Sequence, residues 1–398
     1  PWSKVLGARD AMRSTLMCFA LSVASIASEQ ACSADSTTST TFDHGLASLV
    51  LMTNTPPPSA PSVQIRGRRM LVNSWRPEFP EYIGAPRTAD FPLVVTVGNS
   101  ANASIADYGK AAAALMAERL VTHGAVKFSG LPLKDGVDFS MFTEALEWNA
   151  VKLGGGGTER KDVTRFVRTA SEEPDEHTIE PHMDMAHSVA HPKRIAFFCA
   201  AGPPPGAGGE TVLTDMRGVY ADLSAQGIPE LFATHGGVSY QKRLWSAEHV
   251  NHTYTWQQFF FTHELENAID QVRKRDAGAN VDESGVITFQ EVLPATFAHP
   301  TTGEQLWFNG VHTNHRSYYE EAEHVDTSDG SPMHTVFADG TDIPDATMAA
   351  IRVAIWSNSI AMALKTGDVV VVDNMLASHG RMGWVPGNPR KVLLTHFQ

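Results

Sequence analysis

The sequence predicts a mainly β fold with flanking helices, an α+β chain built on a double-stranded β-helix, or jelly roll. Three observations carry this reading. Short β-type runs follow one another from Arg194 onward, at Ile195–Cys199, Glu210–Thr214, Val286–Val292, Gln305–Phe308, Asp368–Val372 and Lys391–Leu394, with Pro, Gly and Asp marking the turns between them. Long insertions separate these runs, and helical spacing interrupts them only at Glu264–Arg275 and Asp345–Ala363. No repeat of fixed period appears. That distribution favours two packed antiparallel sheets over a parallel α/β sheet.

The chain has 398 residues, is 42% hydrophobic and 19% charged, and holds 31 Gly and 23 Pro. This is the composition of a soluble globular protein rich in loops. A formal charge of −13, with no basic stripe, excludes a general surface for nucleic acid or anionic membrane. Cys18, Cys32 and Cys199 form neither a disulfide framework nor a Cys-x-x-Cys zinc pattern.

Residues 1–79 read as a targeting-like or disordered segment followed by a linker. Arg13 precedes the apolar stretch Leu16–Ala27, which is too short to span a bilayer and resembles a signal h-region. The Ser/Thr-rich, acid-poor flank to Thr41 also fits an organellar transit peptide. Residues before Met12 read as upstream sequence. A cleaved secretory or organellar segment is expected, the alternative being a disordered tail on a cytoplasmic protein. The Pro-rich run Thr55–Pro61 supplies the linker.

Residues 80–398 are expected to form one domain. Leu93–Val97 is a strand, Tyr108–Thr122 an amphipathic helix with Ala112, Leu115, Leu120 and Val121 toward one side, Ala125–Phe128 a strand and Phe139–Trp148 a helix. Gly154–Gly157 lacks the Lys-Ser/Thr and the strand-to-helix context of a phosphate cradle and reads as a loop. Asn280–Glu291 nearly satisfies a calcium loop, with oxygen-bearing residues at its first, third and fifth positions, Gly at the sixth and Glu at the twelfth. The alternation of Val286–Val292 and the nearby Pro294 favour a strand there instead.

The chemistry concentrates in a few residues. His182 and Asp184, in Pro181-His182-Met183-Asp184, share one face of an extended strand. With His379 from a distant segment they supply two imidazoles and a carboxylate, the facial set of a non-haem ferrous site with its other positions open. Val369–Val372 is a buried-strand pattern that delivers His379 beyond its end, and Arg390 follows eleven positions after His379. Gly208-Gly209-Glu210-Thr211 places a hydroxyl on a strand. A guanidinium that forks onto a carboxylate, with a hydroxyl beside it, suits a dicarboxylate cosubstrate.

In these motifs the chain resembles the TauD/TfdA-like family of iron- and 2-oxoglutarate-dependent dioxygenases, particularly its clavaminate-synthase-like branch. The likeness covers about residues 90–398 and includes His123–Phe128, Leu293-Pro294-Ala295, His299–Glu304 and Trp307-Phe308-Asn309. The resemblance implies Fe(II) held by His182, Asp184 and His379, with 2-oxoglutarate as cosubstrate and O2 as oxidant. It implies Arg390 as the partner of the distal carboxylate of 2-oxoglutarate, Thr211 as a further hydrogen bond, and Arg381 as a residue lining or rimming the pocket. In halogenases of this superfamily a small residue replaces the carboxylate ligand, so the presence of Asp184 favours hydroxylation.

The expected reaction is therefore hydroxylation of an unactivated C–H bond in a small amino-acid-like or carboxylate-bearing metabolite, with release of succinate and CO2. Desaturation or cyclisation are the variants. A non-catalytic jelly-roll binding protein is the alternative class, and a hydrolytic zinc enzyme lacks an evident general base. His187 and His191 make no common zinc spacing with His182. Trp245, Trp307, Asn309, His312 and Arg243 fall in segments able to face the iron, although aromatic residues there also suit a core.

Overall fold

The first long helix begins where its sequence permits a capping box. Ser104 accepts from the Asp107 N–H while Asp107 accepts from the Ser104 N–H, so the helix runs Ile105–His123. Gly124, at φ +67°, closes it through its N–H to the Leu120 carbonyl. Tyr108, Ala112, Leu115, Met116 and Leu120 form its buried face. A second helix, Gly136–Glu144, starts at Asp135, whose carboxylate accepts from the N–H groups of Val137 and Asp138. Gly109 lets the two helices meet, because a Cβ there would lie 2.6 Å from the Phe142 carbonyl oxygen.

In this computed structural model the described residues are 39–42, 49–53, 63–83, 87–88, 90–98, 102–153, 160–248, 254–275 and 277–398. The apolar stretch Leu16–Ala27, the Pro-rich run and Gly154–Gly157 lie outside them. Among the described residues no helix is long and apolar enough to cross a membrane.

The architecture is mixed sheets with helices. A nine-stranded sheet runs in the order Ser39–Phe42, Leu49–Thr53, Leu93–Val97, Ala125–Ser129, Val369–Asp373, Arg194–Ala201, Lys391–Phe397 and Ala150–Val151, with Arg168–Thr169 also paired to Lys391–Phe397. Among the described strands of this sheet only Leu93–Val97 and Ala125–Ser129 pair in parallel, across the Ile105–His123 helix. A four-stranded sheet follows the order Ser359–Met362, Thr211–Asp215, Ala377–Arg381 and Ile179–His182. A further four-stranded sheet, of Asn280–Val281, Ile287–Leu293, Val238–Leu244 and Met333–Phe337, packs with the helices Trp256–Phe260 and Leu265–Arg273.

The valine run explains where the core sits. Val369 and Val371 join Val126, Phe128 and Phe198 beneath the first two helices. Val370 and Val372 face the other way, with Ile195, Phe197, Leu213 and Leu394. A strand buried on both faces needs continuous apolar side chains rather than alternation. Residues 63–83 pack as well, with Ile65, Leu71, Phe79 and Ile83 against Val212, Trp356 and Met382.

Most expected elements lie within a few residues of their observed bounds. One differs in kind. The helix expected over Asp345–Ala363 ends at Ser357, and Ser359–Met362 turns into a strand paired with Thr211–Asp215. Its apolar residues fit either element by pattern, and the sheet edge decides. The calcium-like loop is a hairpin turn. The Asp282 carboxylate accepts from the N–H groups of Ser284 and Val286, while Glu291 lies on the strand and bonds Lys242 at 2.6 Å.

Candidate active site

His182 and His379 meet because their strands are neighbours. Ile179–His182 pairs with Ala377–Arg381 in a register that sets the two histidines opposite each other, with an irregularity between His379 and Arg381. Gly380 permits this approach, since a Cβ there would lie 2.7 Å from the Ile179 carbonyl oxygen. The imidazole centroids are 4.6 Å apart. Contrary to the extended-strand expectation, the strand ends at His182 and Asp184 sits in a turn. The buried amide of Asn374 holds that turn, accepting from the Asp184 N–H at 3.0 Å and donating to the Asp184 carbonyl at 2.9 Å. Asn374 therefore couples the two chain segments that carry the three residues.

The two oxygens of Asp184 have different partners. Oδ1 faces His182 Nε2 at 3.3 Å and His379 Nε2 at 3.7 Å. Oδ2 is taken by His396 Nε2 at 2.7 Å and by Arg160 Nη2 at 3.1 Å. Burial alone would raise the Asp184 carboxyl, but the Arg160 charge and the hydrogen bonds from the three histidines outweigh it and hold the group well below the usual carboxylate range. Burial pushes His379 down to about 4, against the opposing pull of Asp184. His182 Nδ1 lies 3.0 Å from the Glu180 carbonyl, a contact that orients the ring with Nε2 toward Asp184.

One donor atom from each of His182, Asp184 and His379 lies within 4.8 Å of the others. Lone pairs on two imidazoles plus an ionised carboxylate form a donor set that fits a divalent iron. His187 and His191 join no such group among the described residues. His187 lines the cavity beside the triad, and His191 packs on Phe308.

A second set of residues converges on the same cavity. Thr211, Arg381 and Arg390 all line it. Thr211 pairs with Arg381 across the sheet, and Arg390 Nη2 lies 3.4 Å from its hydroxyl. Arg390 Nε donates to the Gly209 carbonyl at 2.8 Å. Gly209, at φ +79°, admits that side chain, because a Cβ there would meet Arg390 Cδ at 2.9 Å. Both guanidinium groups lie over the Trp384 ring, Arg381 at 4.5 Å and Arg390 at 5.3 Å. Burial lowers each arginine to about 10. Two desolvated cations beside a hydroxyl suit a dianionic ligand. Arg381 also spends its Nη groups on the carbonyls of Glu173, Pro174 and His177, so it holds the adjoining loop.

The remaining cavity wall includes Tyr254, Tyr318, Tyr319, Asn314, Met183 and Met185. None of Trp245, Trp307, Asn309, His312 or Arg243 lines it. Trp307 packs edge-to-face against Phe232 in the core, and His312 Nε2 lies 2.9 Å from the carbonyl of Pro181 on the His182 strand. Arg160, His396 and Trp384 are the residues that motif reasoning missed. A buried-strand histidine such as His396 carries no signal until its neighbour is known.

Residues 89–396 match the family described as taurine catabolism dioxygenase TauD, TfdA family, and the chain belongs to that family. Membership makes it an oxidoreductase of the dioxygenase type; iron, 2-oxoglutarate and dioxygen are the metal, cosubstrate and oxidant that go with it. The dapdiamide synthesis protein DdaC of Enterobacter agglomerans is 26% identical over 66% of this chain and 79% of its own length. A clavaminate synthase-like protein of Arabidopsis thaliana is 27% identical over 68% of this chain and 80% of its own. Among solved structures, PvcB of Pseudomonas aeruginosa is 14% identical, covering 79% of this chain and 86% of that one with a TM-score of 0.45.

Proposed function

We propose that His182, Asp184 and His379 bind Fe(II), and that Arg390 and Thr211 receive the distal carboxylate of 2-oxoglutarate. Arg381 adds positive charge and fixes the loop beside the cosubstrate. The observation that carries this reading is the division of Asp184. Oδ2 is held by His396 and Arg160, so Oδ1 alone is presented between two imidazole nitrogens. An iron bound there supplies activation of dioxygen coupled to decarboxylation of 2-oxoglutarate.

The chain's own residues do the positioning. Asn374 fixes the Asp184 backbone and His396 its carboxylate, the indole of Trp384 and the Gly209 carbonyl aim the Arg390 guanidinium, and tyrosine and methionine side chains wall the cavity. With Asp184 in place, oxygen insertion into an unactivated C–H bond is the reaction this reading assigns, releasing succinate and CO2. The substrate class on this reading is a small amino-acid-like or carboxylate-bearing metabolite. We read the nine-stranded sheet and the sheet carrying His182 and His379 as facing halves of a jelly roll, supported by the apolar layer that both supply. The oxygenase domain on this reading spans residues 80–398, with 63–79 packed upon it.

Anaerobic titration of the iron-loaded protein with 2-oxoglutarate, followed by its visible charge-transfer band, tests the assignment. Arg390→Ala removes a charge-assisted contact of about 1.5–3 kcal/mol and is expected to weaken 2-oxoglutarate about ten- to a hundredfold. A wild-type protein without the band, or an Arg390→Ala variant with unchanged affinity, rejects the assignment. Succinate release stimulated by a candidate metabolite, with one oxygen added to the product mass, identifies hydroxylation; loss of two hydrogens identifies desaturation or cyclisation.

A further inference from the structure

A second cluster of metal-ligating side chains lies outside the triad. Glu173 and His177 stand on the segment between strands Arg168–Thr169 and Ile179–His182. His324 comes from the segment between helix Arg316–Glu321 and strand Met333–Phe337. Glu173 Oε2 lies 3.2 Å from His177 Nδ1 and 2.7 Å from His324 Nε2. The two imidazole centroids are 4.8 Å apart. One donor atom from each residue falls within 4.8 Å of the others, a property shared among the described residues only with His182, Asp184 and His379.

The donor chemistry is specific. Two imidazole nitrogens and one carboxylate oxygen make a three-ligand set of the kind that holds zinc, with a fourth tetrahedral position left to water. Metal–donor bonds of about 2.0–2.2 Å require donor separations of about 3.4 Å, so the observed 2.7 and 3.2 Å need only sub-ångström adjustment. The carboxylate is mostly buried, and the two groups at ion-pair distance from it are imidazoles. The segment is also held before any ion arrives, because Arg381 donates to the carbonyls of Glu173, Pro174 and His177. Pre-positioned ligands lower the cost of ordering a site.

We propose that Glu173, His177 and His324 form a second divalent-cation site, of the zinc class and independent of the triad. The ion ties the segment that leads into the His182 strand to the segment that follows helix Arg316–Glu321. Its role is to hold one wall of the cavity, since Glu173 is a lining residue.

The test uses the full chain, stripped with chelator, equilibrated with zinc alone, desalted and analysed by mass spectrometry for metal content. Wild type is expected to retain about two zinc ions per chain, and Asp184→Ala/His379→Ala about one. Adding His324→Ala to that variant should remove the remaining ion, and His324→Cys should restore it. Loss of zinc from the Asp184→Ala/His379→Ala protein, with its circular dichroism unchanged, overturns the proposal. If that variant does not fold, wild type is compared with His324→Gln. A difference of about one ion supports the site, and equality overturns it. A wild type that holds one ion and loses it on His324→Ala would leave this site standing while the triad assignment failed.

Discussion

Glu291→Gln is expected to destabilise the protein strongly at neutral pH and much less at pH 9. Lys242 and Glu291 lie on neighbouring strands, with Tyr240 opposite Glu291 and Phe289 opposite Lys242. The ammonium lies 2.6 Å from Glu291 Oε2 and is packed against the Tyr240 and Phe289 rings. Its side chain is 0% exposed. Burial lowers the Lys242 pKa, and Glu291 pulls it back up. Without the carboxylate, the cheaper folded state is the one in which Lys242 gives up its proton.

The magnitude follows from the unfolded chain. Its lysine keeps the proton up to a pKa of about 10.4, so deprotonation at pH 7 costs about 1.4 kcal/mol for each of about 3.4 units, an upper bound close to 5 kcal/mol. This agrees with the roughly 3–5 kcal/mol of a broken buried pair. Because the variant's folded pKa lies below its unfolded value, the penalty falls as pH rises and is about 2 kcal/mol at pH 9. Lys242→Met combined with Glu291→Gln removes the stranded ammonium and should recover much of the loss, with Arg275, 3.7 Å from Glu291 Oε2, left without its carboxylate. Urea unfolding at pH 7 and pH 9 measures all three proteins. A Glu291→Gln penalty under about 1 kcal/mol at pH 7, or one that does not shrink at pH 9, would falsify the reasoning.

Two further outcomes follow from the same structure. His396→Ala frees one side of Asp184 Oδ2 and is expected to weaken cobalt or iron binding about 10- to 100-fold, read by competition with a chelating dye; unchanged affinity would show that Arg160 alone suffices. His315 caps helix Arg316–Glu321 by accepting from the Ser317 N–H at 3.2 Å. Burial, then the charges of His334, Arg352 and Arg316, pushes it down to about 3. The unfolded chain takes up that proton first, so stability is lost as pH falls from about 6.5 toward 3, by at most about 1 kcal/mol per unit after solvent screening. His315→Asn keeps an acceptor without titrating, and its acid unfolding profile should be flatter over that window.

What could be read from the sequence was whatever the chain encodes locally or in order. The valine run Val369–Val372, the apolar spacing of Ala112, Leu115 and Leu120, and the His-x-Asp motif are each patterns within one short segment. Motif order linked His182, Asp184 and His379 to Thr211 and Arg390, and the structure brings all five to one cavity. What remained hidden depends on pairing between distant strands. Ala377–Arg381 has too little apolar alternation to announce a strand, yet its register sets His379 against His182. Val238–Leu244 carries Gln241, Lys242 and Arg243, and is a strand because two neighbours bury it.

The same distinction governs the site. From the sequence came the chemical types, two imidazoles, a carboxylate, a hydroxyl and a guanidinium, because ligand chemistry is a property of side chains. Tertiary structure alone decided that Asp184 offers one oxygen rather than two, since His396 is 212 residues away and meets it only across the folded sheets. It likewise decided that His177 and His324 share the Glu173 carboxylate, because His324 arrives from a distant segment that no local pattern encodes. Side-chain chemistry is local, whereas side-chain orientation is set by what packs behind it.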